Sequence, residues 1–324
     1  MENWLQRQWY CLTGWQWLLW PLSQIFLALS NVRRWLYRAA IFQTWRAPVP
    51  VIVVGNISVG GTGKTPLTLW LAGFLAQHGY HPGIVSRGYG SKATGARGVA
   101  ISSSADEVGD EPLLLARRSG CPVWVGRDRS SAIRGLMTAH PECDLLICDD
   151  GLQHYALARD VEIAVGGLRS LGNGRLLPAG PLRERPCRLQ EVDMVVSSAE
   201  QALPGEFCMR LTGHTFRNLQ DPARTARPQD FAGRTLHAVA GIGQPQRFYG
   251  TLQALGLKCT PHAFPDHYPY RPADLQFGAF SVVLMTEKDA VKCTGFAQAD
   301  WWYLEVDAQL DAEFGAQVLN KLRS

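Results

Sequence analysis

Residues 58–65 read SVGGTGKT and lie between an apolar strand pattern and a helical pattern. The strand pattern is the run 51–54 (VIVV), whose β-branched residues predict a strand buried on both faces. Glycines let a backbone wrap round phosphate oxygens, and the amides at a helix N-terminus bind anions. Strand, glycine-rich loop and helix in this order therefore predict a nucleoside triphosphate site of the P-loop type. The alternative is a glycine-rich turn without chemistry.

The loop gives its side chains distinct roles. Lys64 is expected to reach the outer phosphates of ATP, and the Thr65 hydroxyl to ligate Mg²⁺. Ser58 departs from the usual pattern, which has a glycine at this place. The predicted nucleotide-binding residues are Ser58, Val59, Gly60, Gly61, Thr62, Gly63, Lys64 and Thr65.

Two acids, Asp149 and Asp150, end a second apolar run at 145–148 (LLIC). In P-loop proteins an acid at the end of such a strand holds the metal directly or through water. Neighbouring side chains on an extended chain point opposite ways, so the two acids are expected to divide this work. The alternative is a turn-forming pair before Gly151.

Strand patterns alternate with helical patterns through the first two thirds of the chain. They lie at 84–85, 123–125 and 161–165, besides the two already named. Such alternation predicts parallel pairing, right-handed crossovers and a three-layer α/β/α domain. A second alternation, with strands near 236–240, 282–284 and 303–306, predicts a smaller α/β domain. We predict a segment 1–46, a P-loop domain at 47–212 and a smaller domain at 213–324.

The first 46 residues carry seven of the 11 tryptophans, and Arg33, Arg34 and Arg38 follow an apolar stretch at 15–29. These tryptophans are Trp4, Trp9, Trp15, Trp17, Trp20, Trp35 and Trp45. The stretch is shorter than the ~20 residues that a spanning helix needs. Indole rings and guanidinium groups favour the membrane interface, so we predict an interfacial helix. The alternative is an amphipathic helix packed on the protein's own core.

Composition excludes several classes. The net charge of +4 is no signature of nucleic-acid binding. The 8 cysteines form no CxxC pair, which favours reduced thiols in the cytosol and argues against a zinc site. No obligate protein partner is indicated.

Further motifs resemble one family, the lipid A 4′-kinases (tetraacyldisaccharide 4′-kinases). The matching segments are VGNISVGGTGKTP (54–66), SRGYG (86–90), VGDEP (108–112), GRDR (126–129), CDDGLQH (148–154), NGRLLPAGPLRERP (173–186), PDHYPY (265–270) and TEKDAVK (286–292). The resemblance implies that ATP phosphorylates the 4′-hydroxyl of a tetraacylated glucosamine disaccharide 1-phosphate. It also implies a position at the cytoplasmic face of the bacterial inner membrane.

The same resemblance implies the catalytic groups. Asp110 matches the family's base for the acceptor hydroxyl, although Asp-Glu-Pro before a helix is also a good N-cap sequence. His267 matches the histidine that partners this aspartate, and its alternative is a surface loop histidine. Lys64 completes the predicted catalytic set. If the pairing forms, residues from both domains complete one site.

Arginines supply the predicted substrate contacts, because a guanidinium fork suits phosphate recognition. The candidates are Arg87, Arg129, Arg175, Arg183 and Arg185. Their alternative is a solvated basic surface. The motif at 287–289 (EKD) has no predicted role, and GIGQPQRF (241–248) is interpreted as a structural turn. The competing function is a membrane-associated P-loop switch or energy-coupling NTPase that acts on a protein partner.

Overall fold

A computed structural model of the chain describes residues 9, 14–91, 95–198, 202–278 and 280–323, so Trp4 and Cys11 lie outside it. The strands are β1 Val51–Gly55, β2 Pro82–Ser86, β3 Arg97–Gly98, β4 Val123–Val125, β5 Leu145–Asp149, β6 Val161–Val165, β7 Met194–Ser197, β8 Glu206–Thr212, β9 Phe216–Asn218, β10 Thr225–Ala226, β11 Thr235–Ala240, β12 Cys259–Ala263, β13 Ser281–Thr286, β14 Trp301–Leu304 and β15 Asp307–Leu310. The α-helices are α1 Trp15–Arg38, α2 Lys64–Gln77, α3 Ala105–Val108, α4 Asp110–Ser119, α5 Arg129–Ala139, α6 Pro245–Ala254, α7 Glu287–Cys293 and α8 Ala312–Arg323.

The larger sheet has the order β15-β8-β7-β6-β1-β5-β2-β4-β3 among the described residues. Its central strands pair in parallel, while β15 and β3 join antiparallel at the two edges. Ile52 and Val54 face one core with helices α2, α4 and α8, and Val51 and Val53 face a second core with α5. Because β1 is buried on both faces, its continuous apolar run follows from its central place in the sheet.

The smaller sheet has the order β10-β9-β14-β13-β11-β12 in the part of the chain that the structure describes. Strands β12, β11, β13 and β14 are parallel, and β9 and β10 extend the sheet antiparallel. Phe248 and Leu252 of α6 pack on one face, and Ala290 and Cys293 of α7 on the other. Strand β14 begins two residues before the predicted run at 303–306.

The chain returns to the larger sheet after it has completed the smaller one. Strand β15 pairs with β8, and Phe314 and Val318 of α8 lie fully buried in the core of the larger sheet. The predicted division at residue 213 stays a prediction. Its C-terminal segment contains both the smaller sheet and this returning strand and helix.

Helix α1 buries two polar residues and exposes most of its large apolar side chains. Its buried residues are Gln16 and Ser23. The Ser23 hydroxyl donates to the Leu176 carbonyl at 2.9 Å and accepts from the Ala179 amide at 3.1 Å. The exposed large apolar residues of the helix are Trp15, Trp17, Leu18, Trp20, Leu22, Ile25, Leu29, Val32 and Trp35. Among the described residues, none of the helices has the length and apolarity to cross a membrane.

Candidate active site

The glycine-rich loop joins β1 to α2 at the carboxyl edge of the larger sheet. Gly63 adopts φ +95°, a left-handed conformation that favours glycine, and is the N-cap of α2. Inside the loop the Asn56 side-chain amide donates to the Thr62 hydroxyl at 3.1 Å. Outside it, the Val59 amide donates to the Pro181 carbonyl at 2.8 Å. The loop is therefore held in shape from both sides, with its amides at a helix N-terminus, where anions bind.

Asp149 is fully buried at the end of β5. The hydroxyls of Thr68 and Ser86 donate to its two carboxylate oxygens at 3.3 and 3.5 Å. Burial, together with the charge of Glu111, raises the pKa of Asp149 to about 7, against the opposing effect of Lys64. A carboxylate in this position lacks enough positive charge around it, as expected of a group that receives a cation.

Asp150 has the opposite environment. Its carboxylate lies 3.6 Å from Lys64 Nζ and accepts from an Arg183 guanidinium nitrogen at 3.1 Å. Burial opposes its ionisation, but Lys64 and Arg183 outweigh burial and lower the pKa of Asp150 to about 2. Its backbone φ is +49°, a left-handed value uncommon outside glycine. The two adjacent acids thus present one carboxylate that is already paired and one that is not.

Arg129, a predicted substrate residue, lies behind these acids. Its side chain is only 2% exposed at the start of α5. One guanidinium nitrogen donates to the main-chain carbonyls of Asp149 at 2.9 Å and Asp150 at 3.3 Å, and another to that of Gly126 at 3.3 Å. These bonds occupy the guanidinium and hold the end of β5. The geometry therefore differs from the phosphate contact that its sequence context predicts.

The other predicted arginines are dispersed. Arg183 is brought to the P-loop through Asp150. Arg175 instead stacks on the Trp17 ring of α1, with 4.6 Å between guanidinium carbon and ring centroid. Arg87 follows β2, and both it and Arg185 have exposed side chains.

Asp110 and His267, which are 157 residues apart, are in direct contact. His267 Nδ1 lies 2.9 and 3.1 Å from the two oxygens of Asp110, whose side chain is 5% exposed at the start of α4. Burial would raise the pKa of Asp110, but the His267 hydrogen bond and Lys288 lower it overall. Burial would lower the pKa of His267, yet the bond to Asp110 outweighs it, so this pKa lies above its ordinary value.

Lys288 is a residue that sequence reasoning left without a role. Its ammonium lies 3.0 Å from Glu111, 3.1 Å from Asp266 and 3.3 Å from Nε2 of His267. One signal was available in the sequence. The motif TEKDAVK follows an apolar strand, and side chains just after parallel strands gather at one edge of the sheet, where α/β proteins bind ligands.

The segment GIGQPQRF (241–248) touches the P-loop. A Cβ on Gly243 would lie 3.2 Å from the Gly61 nitrogen, so this close approach favours a glycine. The neighbouring Gly241 amide donates to Asp289 at 2.9 Å, which fixes the turn on α7. The turn interpreted from sequence as structural therefore also brings the smaller unit against the nucleotide loop.

No cluster of three or more His, Cys, Asp or Glu side chains suited to a metal occurs within the described ranges. Mg²⁺ in phosphoryl-transfer sites commonly uses one or two carboxylates and completes its shell with phosphate oxygens and water. Asp149 and Asp150 with Thr65 fit that smaller requirement. The described cysteines are all free thiols: Cys121, Cys143, Cys148, Cys187, Cys208, Cys259 and Cys293.

Comparison with known proteins finds a matching family model, similar sequences and a similar solved structure. The family model of tetraacyldisaccharide-1-P 4′-kinase, LpxK, matches residues 15–323. Tetraacyldisaccharide 4′-kinase of Methylobacillus flagellatus is 49% identical over 322 residues, which cover 99% of this chain and 96% of the relative. That of Nitrosococcus oceani is 50% identical over 320 residues, covering 98% and 94%. A crystal structure of LpxK from Aquifex aeolicus, in complex with ATP, superposes with TM-score 0.82 at 30% identity and covers 95% of this chain and 99% of its own. The predicted fold class is confirmed.

Proposed function

The chain belongs to the tetraacyldisaccharide-1-P 4′-kinase family, and on that basis we propose that it transfers the γ-phosphoryl group of ATP to the 4′-hydroxyl of a tetraacylated glucosamine disaccharide 1-phosphate. The observation that carries the proposal is the Asp110–His267 contact at 2.9 Å, formed by segments of both units. A nucleotide-binding loop alone serves many functions. A buried aspartate paired with a histidine beside such a loop supplies what an acceptor hydroxyl needs.

Asp110 is the general base of the proposed reaction. Its lowered pKa keeps the carboxylate ionised near neutral pH, and it can therefore take the proton of the attacking hydroxyl. His267 orients the carboxylate through Nδ1 and shares the charge that changes as the proton arrives. The pair lies at the junction of the units, so movement between them would gate turnover.

Residues 58–65 hold the phosphates of ATP, with Lys64 directed at the outer ones. Lys64 lies 3.6 Å from Asp150, which keeps its ammonium at the loop. Thr65, Asp149 and Asp150 are the residues that would hold Mg²⁺. When bound, Mg²⁺ supplies positive charge against the phosphate oxygens. Arg183, already at Asp150, is the arginine best placed to contact a phosphoryl group.

Helix α1 anchors the protein peripherally at the cytoplasmic face of the inner membrane. Its exposed indole and aliphatic side chains form a surface that water solvates poorly and that a lipid interface accepts. The Arg175–Trp17 stack joins this helix to the loop 173–186, whose Pro181 carbonyl meets the P-loop. A lipid acceptor at the membrane would therefore lie beside the element that borders the nucleotide site. Arg87, Arg175 and Arg185 are the remaining candidates for its 1-phosphate.

The test is incubation of the full chain with ATP labelled in the γ-phosphate and the disaccharide 1-phosphate lipid in mixed micelles. We expect one labelled phosphate in the lipid, which mass analysis places at the 4′ position. Glu107→Gln, an exposed acid close to Asp110, serves as the surface control. Release of free phosphate without a labelled lipid would contradict the kinase and favour the switch-type NTPase.

A further inference from the structure

The ammonium of Lys288 lies among three acceptors at the junction of the two units. Glu111 Oε1 and Asp266 Oδ1, at 3.0 and 3.1 Å, accept two of its protons, and the third is directed at Nε2 of His267 at 3.3 Å. An ammonium is only a donor, so Nε2 acts as an acceptor in this contact. The imidazole proton is then on Nδ1, which faces Asp110 at 2.9 Å.

We propose that Lys288 is a positioning residue that fixes His267 in the tautomer with its Nδ1 proton on Asp110 and opposes protonation of the ring. The inference rests on the proposed function, in which Asp110 receives a proton from the acceptor hydroxyl. A second proton on His267 would leave the pair as a fixed ion pair and make Asp110 a weaker base.

Among the described residues, Lys288 is the cation that contacts the His267 ring. Asp110 faces it from α4 and Asp266 from its own loop, and the Tyr89 ring packs 5.2 Å from it after β2. Glu111 of α4 contacts Lys288, whose ammonium also lies 3.9 Å from Asp110. From α7, Lys288 faces Nε2, whereas Lys292 pairs with Asp289 at 2.6 Å. Asp110 and Asp266 favour protonation of the ring, and Lys288 counters them.

Glu287, the residue before Lys288 on α7, helps to fix Lys288 beside His267. Glu287 pairs with Arg118 at the far end of α4 and accepts from the Val306 amide at 3.0 Å. Lys288 forms an ion pair with Glu111 at the near end of α4. The two links have different expected roles, because only the second touches His267, so Arg118→Met is a matched control for docking without a change at the ring.

The experiment follows the ring of His267 by NMR in the full-length protein labelled in histidine, with His267→Gln identifying the signal. We compare Lys288→Met, Lys288→Gln, Lys288→Arg and Arg118→Met. Loss of the cation in the Met and Gln variants should raise the titration midpoint of His267 by about one pH unit or more, a tenfold change in its proton affinity. Lys288→Arg and Arg118→Met should leave it within a few tenths of a unit.

The kinetic counterpart is the acid limb of kcat/KM against pH. It should move to higher pH in Lys288→Met and Lys288→Gln and stay in place in Arg118→Met, even where that variant is less stable. An unchanged midpoint in a folded Lys288→Gln, or an equal shift in Arg118→Met, overturns the proposal. A wild-type protein that fails to phosphorylate the lipid would contradict the proposed function. The titration of His267 needs no substrate, so it tests the role of Lys288 independently of that result.

Discussion

Asp149 and Asp150 occupy adjacent positions but have opposite protonation behaviour. Asp150 is paired with Lys64 and Arg183, and its pKa falls to about 2, whereas burial raises that of Asp149 to about 7. The difference arises because consecutive side chains at the end of a strand point in different directions and meet different neighbours. A charge on Asp149 is therefore costly, and the stability of the fold should fall as this acid ionises.

Replacement of Asp149 by Asn should stabilise the protein without nucleotide at pH 8 by on the order of 2 kcal/mol. The folded-state pKa is raised from 3.8 to about 7, so the folded state binds more protons between these values and the wild type loses stability as pH rises through them. Urea unfolding at pH 4 and pH 8 measures this. The gain should vanish at pH 4, and a gain that is equal at both values would contradict the assignment.

Asp110→Asn should lower turnover by about 10²- to 10⁴-fold, because an amide cannot take the acceptor proton. Nucleotide affinity should be retained, since Asp110 lies outside residues 58–65. Single-turnover phosphorylation and equilibrium binding of an ATP analogue separate the two effects. Near-normal turnover would remove Asp110 from the mechanism.

At the scale of elements, α1 reverses the usual amphipathic arrangement. It anchors to the body through Ser23 and through the ion pair of Arg38 with Glu191 at 2.6 Å, and its apolar side chains remain outside. The sequence alone left a core helix and an interfacial helix both open, because the same periodicity serves either. The sequence could not show which residues of α1 are buried, because the burial of Ser23 depends on the distant carbonyl of Leu176.

Leu18→Ala and Trp35→Ala should each weaken partition into phospholipid vesicles roughly tenfold, as the loss of about 1.5 kcal/mol of apolar transfer implies. Their side chains are 67% and 60% exposed. Phe280→Ala is the control, because Phe280 is 88% exposed but lies on the smaller unit. Cosedimentation with vesicles measures the partition, and equal losses in all three variants would argue against a surface specific to α1.

At the scale of the whole molecule, Arg118 connects the two units. It pairs with Glu287 of α7, with Glu305 at 3.5 Å and with Asp307 at 2.6 Å, and these acids belong to separate elements. Glu287 is 8% exposed, and burial raises its pKa against the effect of Arg118. A buried carboxylate thus relies on an arginine from the other unit.

Arg118→Met should therefore destabilise the protein by about 3 kcal/mol, because it leaves Glu287 charged and unpaired. Adding Glu287→Gln should restore most of that loss, since an amide oxygen can still accept from Val306. Denaturant unfolding of the two single variants and the double variant gives the coupling. Additive losses would show that the pair does not hold the units together.

Local patterns predicted much of this molecule and failed where distant segments meet. The P-loop and the central parallel strands were readable because β-branched runs and glycine spacing are contiguous in the chain. The sequence around Arg129 predicts a phosphate contact, and that role stays a prediction. Nothing in the sequence indicated that its guanidinium donates to the carbonyls at 149 and 150. The position of Lys288 after an apolar strand was a local signal, but its partners lie in other parts of the fold and could not be named. The return of β15 to the larger sheet had no local signal.

The return of the chain to the larger sheet also determines the order in which parts of the fold are completed during synthesis. Met209 of β8 lies against Gly63 of the P-loop, and β8 keeps an unpaired edge until β15 has been made. Because the intervening residues form the whole smaller sheet, a growing chain presents α1 early and completes the wall beside its nucleotide loop late. A ribosome-bound intermediate would thus expose the apolar side chains of α1 before it had a finished nucleotide site.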